Sequence, residues 1–176
     1  AKLQELKLGS RAEDIAVSQS SLDKAEIDLQ NYYKTSYVTL NEAFNTVDNI
    51  FRKQTSAIFD YNPYSIDKYD LSYYPCDATT RNSLNIRRRI VDEKILAWQK
   101  DINLMQENNL TNEEFEKFIN NSVDYMYYFQ QFLTDLNKTV IVDCALESAQ
   151  VSEINAAKPV ITSAITTFNT SFATVR

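Results

Sequence analysis

The chain has 176 residues, enough for one domain with a substantial core. Its one Gly and three Pro leave little material for the turns of a sandwich, a barrel or a dinucleotide-binding fold, so composition favours helices. A net charge of −6 argues against binding nucleic acid through its phosphates, and the absence of His removes the commonest general base and metal ligand together.

Leu3, Leu6 and Lys7 lie on a helix that runs into Gly9, the single glycine of the chain. Glycine is favoured just past a helix end, where the backbone turns left-handed. Ser10 and Glu13 follow at the spacing of a capping box, in which each residue's side chain accepts the other's backbone N–H. One helix is therefore expected to stop and another to start at 8–11, with Gly9, Ser10 and Glu13 forming the turn. Because its first residues already read as helix, the chain is expected to be a piece of a longer protein.

The next helix carries Ile15, Ser18, Leu22, Ala25 and Leu29 at 3-4 spacing, and the stripe resumes with Tyr33, Tyr37, Leu40, Phe44, Val47 and Phe51. Such a repeat predicts coiled-coil-like packing. Continued to about Phe59, this helix is roughly 70 Å long. From Asp60 to Thr80 the periodicity stops, and Pro63 and Pro75 mark an irregular connection. Tyr61, Tyr64, Tyr69, Tyr73 and Tyr74 are crowded into it. They make it either a lid folded onto the bundle or a partner-binding surface, since tyrosine combines rigid contact area with a polar end.

A second helix is expected near Thr80, with Leu84, Val91, Ile95, Trp98, Ile102 and Met105 inward. Within it, Arg87, Arg88 and Arg89 lie between Ile86 and Ile90 and read as a solvated face. Thr111 and Glu114 form another capping box, opening a helix with Phe115, Phe118, Ser122, Tyr125, Phe129, Phe132 and Leu136 inward. After a turn at Asn137–Thr139, the last helix carries Val151, Ile154, Ile161, Ile165, Phe168, Phe172 and Val175. Pro159 inside it predicts a kink.

Short turns join antiparallel neighbours, so the expected fold is all-α: an up-down-up-down four-helix bundle on a two-helix coiled-coil stalk. The ascending stalk is assigned to 1–30, the bundle with its irregular loop 60–80 to 31–160, and the returning stalk to 161–176. In this topology Cys76 and Cys144 fall at the same bundle end. A disulfide between them and a pair of buried thiols both fit. Catalytic motifs are absent from the sequence, and its acids fall mainly at exposed helix positions. The reading is therefore non-enzymatic, with no catalytic residues, no metal and no cofactor. No apolar run is long enough to span a bilayer.

The segment Ala1–Gln30 resembles the helical hairpin of bacterial periplasmic adaptor subunits, the membrane fusion proteins of the HlyD/MacA type. Leu3, Leu6, Lys7, Gly9, Arg11, Glu13, Asp14, Ile15 and Ala16 match the family pattern, and Ala12 stands where the family usually has Pro. The match covers about thirty residues, and a helical insertion of more than a hundred follows where the family hairpin runs straight back. The resemblance implies a non-catalytic coupling element in an efflux or secretion system. It implies an extracytoplasmic location in a membrane-anchored protein, attached only through parts outside this chain. Its partners would be a transporter, another envelope protein or a further adaptor protomer, with self-association through the stalk. The competing expectation is the ligand-sensing ectodomain of a chemoreceptor or sensor kinase, and a third is a surface adhesin domain.

Overall fold

The computed structural model describes residues 12–75, 77–107, 111–140 and 148–175. Gly9 and Ser10 of the expected turn lie outside these residues, as do both Cys76 and Cys144; Glu13 sits in the first turn of a helix. In chain order the elements are α1 (Ala12–Asn49), a π turn (Ile50–Gln54), a 3-10 turn (Thr55–Ile58), β1 (Phe59–Tyr61), β2 (Tyr69–Leu71), α2 (Ala78–Glu107), α3 (Asn112–Asn137) and α4 (Ser148–Val175). Two compact units are present, Ala1–Val38 and Thr39–Arg176.

In the first unit, α1 is helical because nothing from Ala12 to Val38 interrupts it. No Gly or Pro occurs there, and Glu13 and Asp14 sit in its first turn, where the helix dipole favours negative charge. Near its start the side chains bond locally: Gln19 Nε2 donates to Asp23 Oδ1 at 2.8 Å, and Ser18 and Ser21 donate back to the carbonyls of Asp14 and Val17. Residues 13–32 are exposed on every face. Even the apolar stripe is open, with Ile15 58%, Leu22 52% and Leu29 43% exposed.

In the second unit the predicted stripes turn inward. Leu40, Phe44, Val47 and Phe51 are buried, as are Leu84, Val91, Ile95, Trp98 and Ile102 of α2. From α3 come Phe115, Phe118, Ser122, Phe129, Phe132 and Leu136, and from α4 Ile154, Ile161 and Phe168. Met126, Leu133, Ala157 and Ala164 are buried as well, widening the stripes. Trp98 is the centre: its ring meets Phe44 edge-on at 5.6 Å and lies over Phe129 at 6.2 Å. Removing an aromatic ring from such a site costs about 3–5 kcal/mol, so this layer anchors the unit.

Arg87 meets Asp135 near one end of the α2–α3 pair, and Asp101 meets Asn121 and Tyr125 toward the other, so these helices run antiparallel. α4 packs on α3 and on the π and 3-10 turns, and its helix continues through Pro159. At the start of α3 the capping box forms as expected: the Thr111 hydroxyl accepts the Glu114 N–H, and the Glu114 carboxylate accepts the Thr111 N–H at 2.9 Å. These bonds hold the Glu114 carboxyl below its usual range.

The all-α expectation is corrected. Among the described residues four α-helices are present, but the segment expected to be irregular contains an antiparallel β-hairpin, so the fold is mostly helical and not a pure four-helix bundle. The register is Phe59↔Leu71, Asp60↔Asp70 and Tyr61↔Tyr69. The physical reason is a short alternation: Phe-Asp-Tyr and Tyr-Asp-Leu each bury an apolar end and turn the Asp outward, as a pleated strand requires.

Candidate functional site

The hairpin is fastened to one face of α2. Arg81, Asn85, Arg88 and Asp92 are spaced 4-3-4, which places them in line on a helix. Asn85 Oδ1 accepts the Leu71 N–H at 2.9 Å, and Arg81 Nη2 donates to the Leu71 carbonyl at 3.0 Å. Both backbone groups of Leu71 are thus satisfied by side chains, and this strand edge is closed to other chains. Asp70 receives Asn85 Nδ2 at 2.7 Å and Arg81 Nη2 at 2.9 Å. That neutralises it opposite Asp60, where two carboxylates in register would otherwise repel.

Arg88 is the deepest of the four, 3% exposed. Its Nη2 donates to the Phe51 carbonyl at 2.8 Å and its Nη1 to Asp92 Oδ1 at 2.6 Å. The π turn makes the first bond available. Thr55 N–H reaches back to Ile50, and the Phe51 carbonyl takes side-chain donors, Arg88 and the Thr55 hydroxyl. The expected solvated face at Arg87–Arg89 is therefore corrected. Arg88 is interior, Arg87 is part-buried on Asp135 at 2.5 Å, and Arg89 is part-buried as well, paired with the more open Glu93. A buried guanidinium is tolerated here because a carboxylate, a carbonyl and the Tyr69 ring surround it.

The five tyrosines divide by role. Tyr69 lies under Arg88 and donates to Asp92 Oδ2; burial first, and then that bond, push its hydroxyl up to about 12. Tyr73 is fully buried, its hydroxyl 2.6 Å from Thr139 Oγ1, and burial raises its pKa. These two hold the hairpin down. Tyr61, Tyr64 and Tyr74 are 61%, 96% and 59% exposed. Tyr61 rests on Tyr69 at 5.4 Å, and Tyr74 lies 4.0 Å beneath the Arg81 guanidinium. Tyr64 lies at the hairpin tip.

An open cleft of about 520 Å³ adjoins the start of α2 and the end of α3, with Asp77, Thr79, Ser83, Arg87, Asp135 and Lys138 on its walls. Asp77 caps α2 through the hydroxyls and N–H groups of Thr79 and Thr80, which hold its carboxyl down to about 2. Asp135 is held low by Lys138 and then Arg87, so the cleft's two cations are already paired. Among the described residues, no group of three His, Cys, Asp or Glu could hold a metal, and no helix is long and apolar enough to cross a membrane.

Sequence reasoning missed Arg81, Asn85, Arg88 and Asp92 as a set. The available signal was their 4-3-4 spacing, one helical face of polar residues facing an aromatic-rich segment. Comparison with family models, curated proteins and solved structures found no match to this chain.

Proposed function

We propose that this chain is the non-catalytic helical domain of a periplasmic adaptor protein, coupling an inner-membrane transporter to export across the envelope. The observation that carries the reading is α1. Residues 13–32 form helix yet bury nothing, and Ile15, Leu22 and Leu29 line one side of it at heptad spacing. A solvated helix of this length is marginal alone in water, so its stability favours a helical partner on that stripe. The match of Leu3 to Ala16 with the adaptor hairpin supports the same reading. In it the domain lies outside the cytoplasm, in a protein anchored by other segments, and needs no cofactor. Its partners are a transporter, an outer channel or another adaptor protomer.

Cysteine placed at Leu22 or Leu29 tests this by cross-linking in intact envelopes of the producing cells. Adducts with an identified transporter, channel or adaptor protomer are the expected result. Labelling by water-soluble maleimide at both positions, with no protein adduct, would count against it.

The sensor reading rests on a different observation, the open cleft of about 520 Å³ at the start of α2. A small molecule that binds only the native state raises its melting temperature. A screen that finds such a compound, with the effect lost in Ser83→Leu, would favour the sensor.

A further inference from the structure

The hairpin is held down at one end and bare at the other, and the bare end is built. Asn62 and Lys68 close the tip, Asn62 N–H donating to the Lys68 carbonyl at 2.8 Å. Inside it, Ser65 N–H donates to the Asn62 carbonyl and Lys68 N–H to the Ser65 carbonyl, each at 3.2 Å. Asn62 Oδ1 accepts the Tyr64 N–H at 3.0 Å, a side-chain turn that Pro63 stiffens by fixing its own φ. Lys68 sits at φ 61°, a left-handed conformation that costs a non-glycine residue free energy. The tip is thus ordered by four bonds and carries strain.

What this order presents is apolar. Tyr64 is 96% exposed and Ile66 91%, the two most exposed large apolar side chains of the described residues. A loop with no partner gains nothing from fixing two such side chains in water. The charges beside them differ from those at the base of the hairpin. Asp70 and Asp92 are paired, whereas Asp60 and Asp67 have no ion pair among the described residues. Asp67 and Lys68 balance each other within the tip, and Asp60 beside it leaves this end of the hairpin with two acids against one Lys, on a chain of charge −6. That balance opposes insertion into an anionic membrane surface and favours a pocket with cationic edges.

We propose that Asn62–Lys68 is a preformed docking finger that places Tyr64 and Ile66 in an apolar pocket, rimmed by Lys or Arg, on a second protein. Ordering the finger before contact lowers the entropy lost on binding, so two anchor side chains suffice for recognition. Arg88 acts at a distance: it fixes Tyr69, and Tyr69 fixes Tyr61 at the finger's shoulder. The proposal does not depend on the adaptor reading, since a sensor or adhesin domain could use the same finger.

The test replaces Tyr64 by a benzophenone-bearing phenylalanine in the full parent protein, in the cells that make it, and identifies adducts by mass spectrometry. The expected result is an adduct with one identified protein, not formed from the same probe at exposed Thr79. Its yield should fall about ten-fold in Ile66→Ser and clearly in Asp60→Lys/Asp67→Lys. Ile66→Ser should leave the thermal midpoint unchanged, which separates docking from folding. Adducts with lipid only, with a second copy of this chain only, equal yield in Ile66→Ser, or no adduct would each overturn the proposal.

Discussion

The guanidinium carbon of Arg88 stands 4.4 Å from the centre of the Tyr69 ring, and the two side chains end on the two oxygens of one carboxylate, Asp92. A hairpin of two three-residue strands is too small to be stable by itself. This contact, with Asn85 and Arg81 on Leu71, joins it to the helical core. The attachment of the hairpin's base therefore begins with a helix residue.

Arg88→Met removes a buried cation and leaves Asp92 with Tyr69 as its remaining bonding partner. Solvent reaches Asp92, whose side chain is 32% exposed, so the loss is smaller than for a fully buried pair. The expected destabilisation is about 2 kcal/mol in urea unfolding, with faster hydrogen exchange at 59–61 and 69–71 than in the core of α3. A change below about 0.5 kcal/mol, the range of an ordinary surface substitution, would mean that the hairpin is held by apolar contact alone.

Most of the helical framework was legible because it rests on period. The stripes through Leu84, Ile95 and Trp98, and through Phe115, Phe129 and Leu136, are buried because a 3.6-residue repeat leaves them one face. The Thr111–Glu114 box was legible because a cap is local chemistry. The hairpin was not, since three-residue strands are too short for a period of two to stand out. Nor was Arg88: a run of three arginines looks solvated until the partners, Phe51 and Asp92, are brought around the middle one. Of the five tyrosines, only the structure separates Tyr69 and Tyr73, which turn in, from Tyr64, which turns out.

Alkaline pH should weaken the fold through Tyr69. Its hydroxyl is pushed up to about 12, so the folded state keeps its proton after the unfolded chain has lost it near 10. The contribution is whole below about pH 10 and disappears as pH rises toward 12. Unfolding midpoints measured across that window should drop, and Tyr69→Phe should flatten the drop. Equal slopes in the two proteins would exclude Tyr69 as the source.

The acid limb should report Asp77. Its carboxyl is held down to about 2 by the hydroxyls and N–H groups of Thr79 and Thr80. Its stabilisation is therefore present above the ordinary carboxylate range near 4 and lost as pH falls toward 2. Asn caps a helix about as well as Asp but does not titrate. The difference in melting temperature between wild type and Asp77→Asn should accordingly narrow from pH 5 to pH 2. Parallel curves would show that the ionisation of Asp77 does not contribute.

Lys68 at φ 61° predicts a substitution that stabilises. Lys68→Gly removes the steric penalty at the cost of a more flexible unfolded chain, for a net gain of about 0.5 kcal/mol. Lys68→Val should lose about 1 kcal/mol or more, because a β-branched residue resists this conformation. Chemical denaturation of the pair checks both signs, and a stabilising Val would contradict the assigned backbone.

The adaptor reading makes its most direct prediction about the parent reading frame, sequenced through both ends of this chain. Lipoyl-like β segments on both sides, with one N-terminal membrane anchor, are the result it predicts, and they would make the hairpin-bearing domain an insertion in the adaptor's helical arm. Two flanking membrane spans leading to a cytoplasmic signalling region would contradict it and make this a sensor ectodomain.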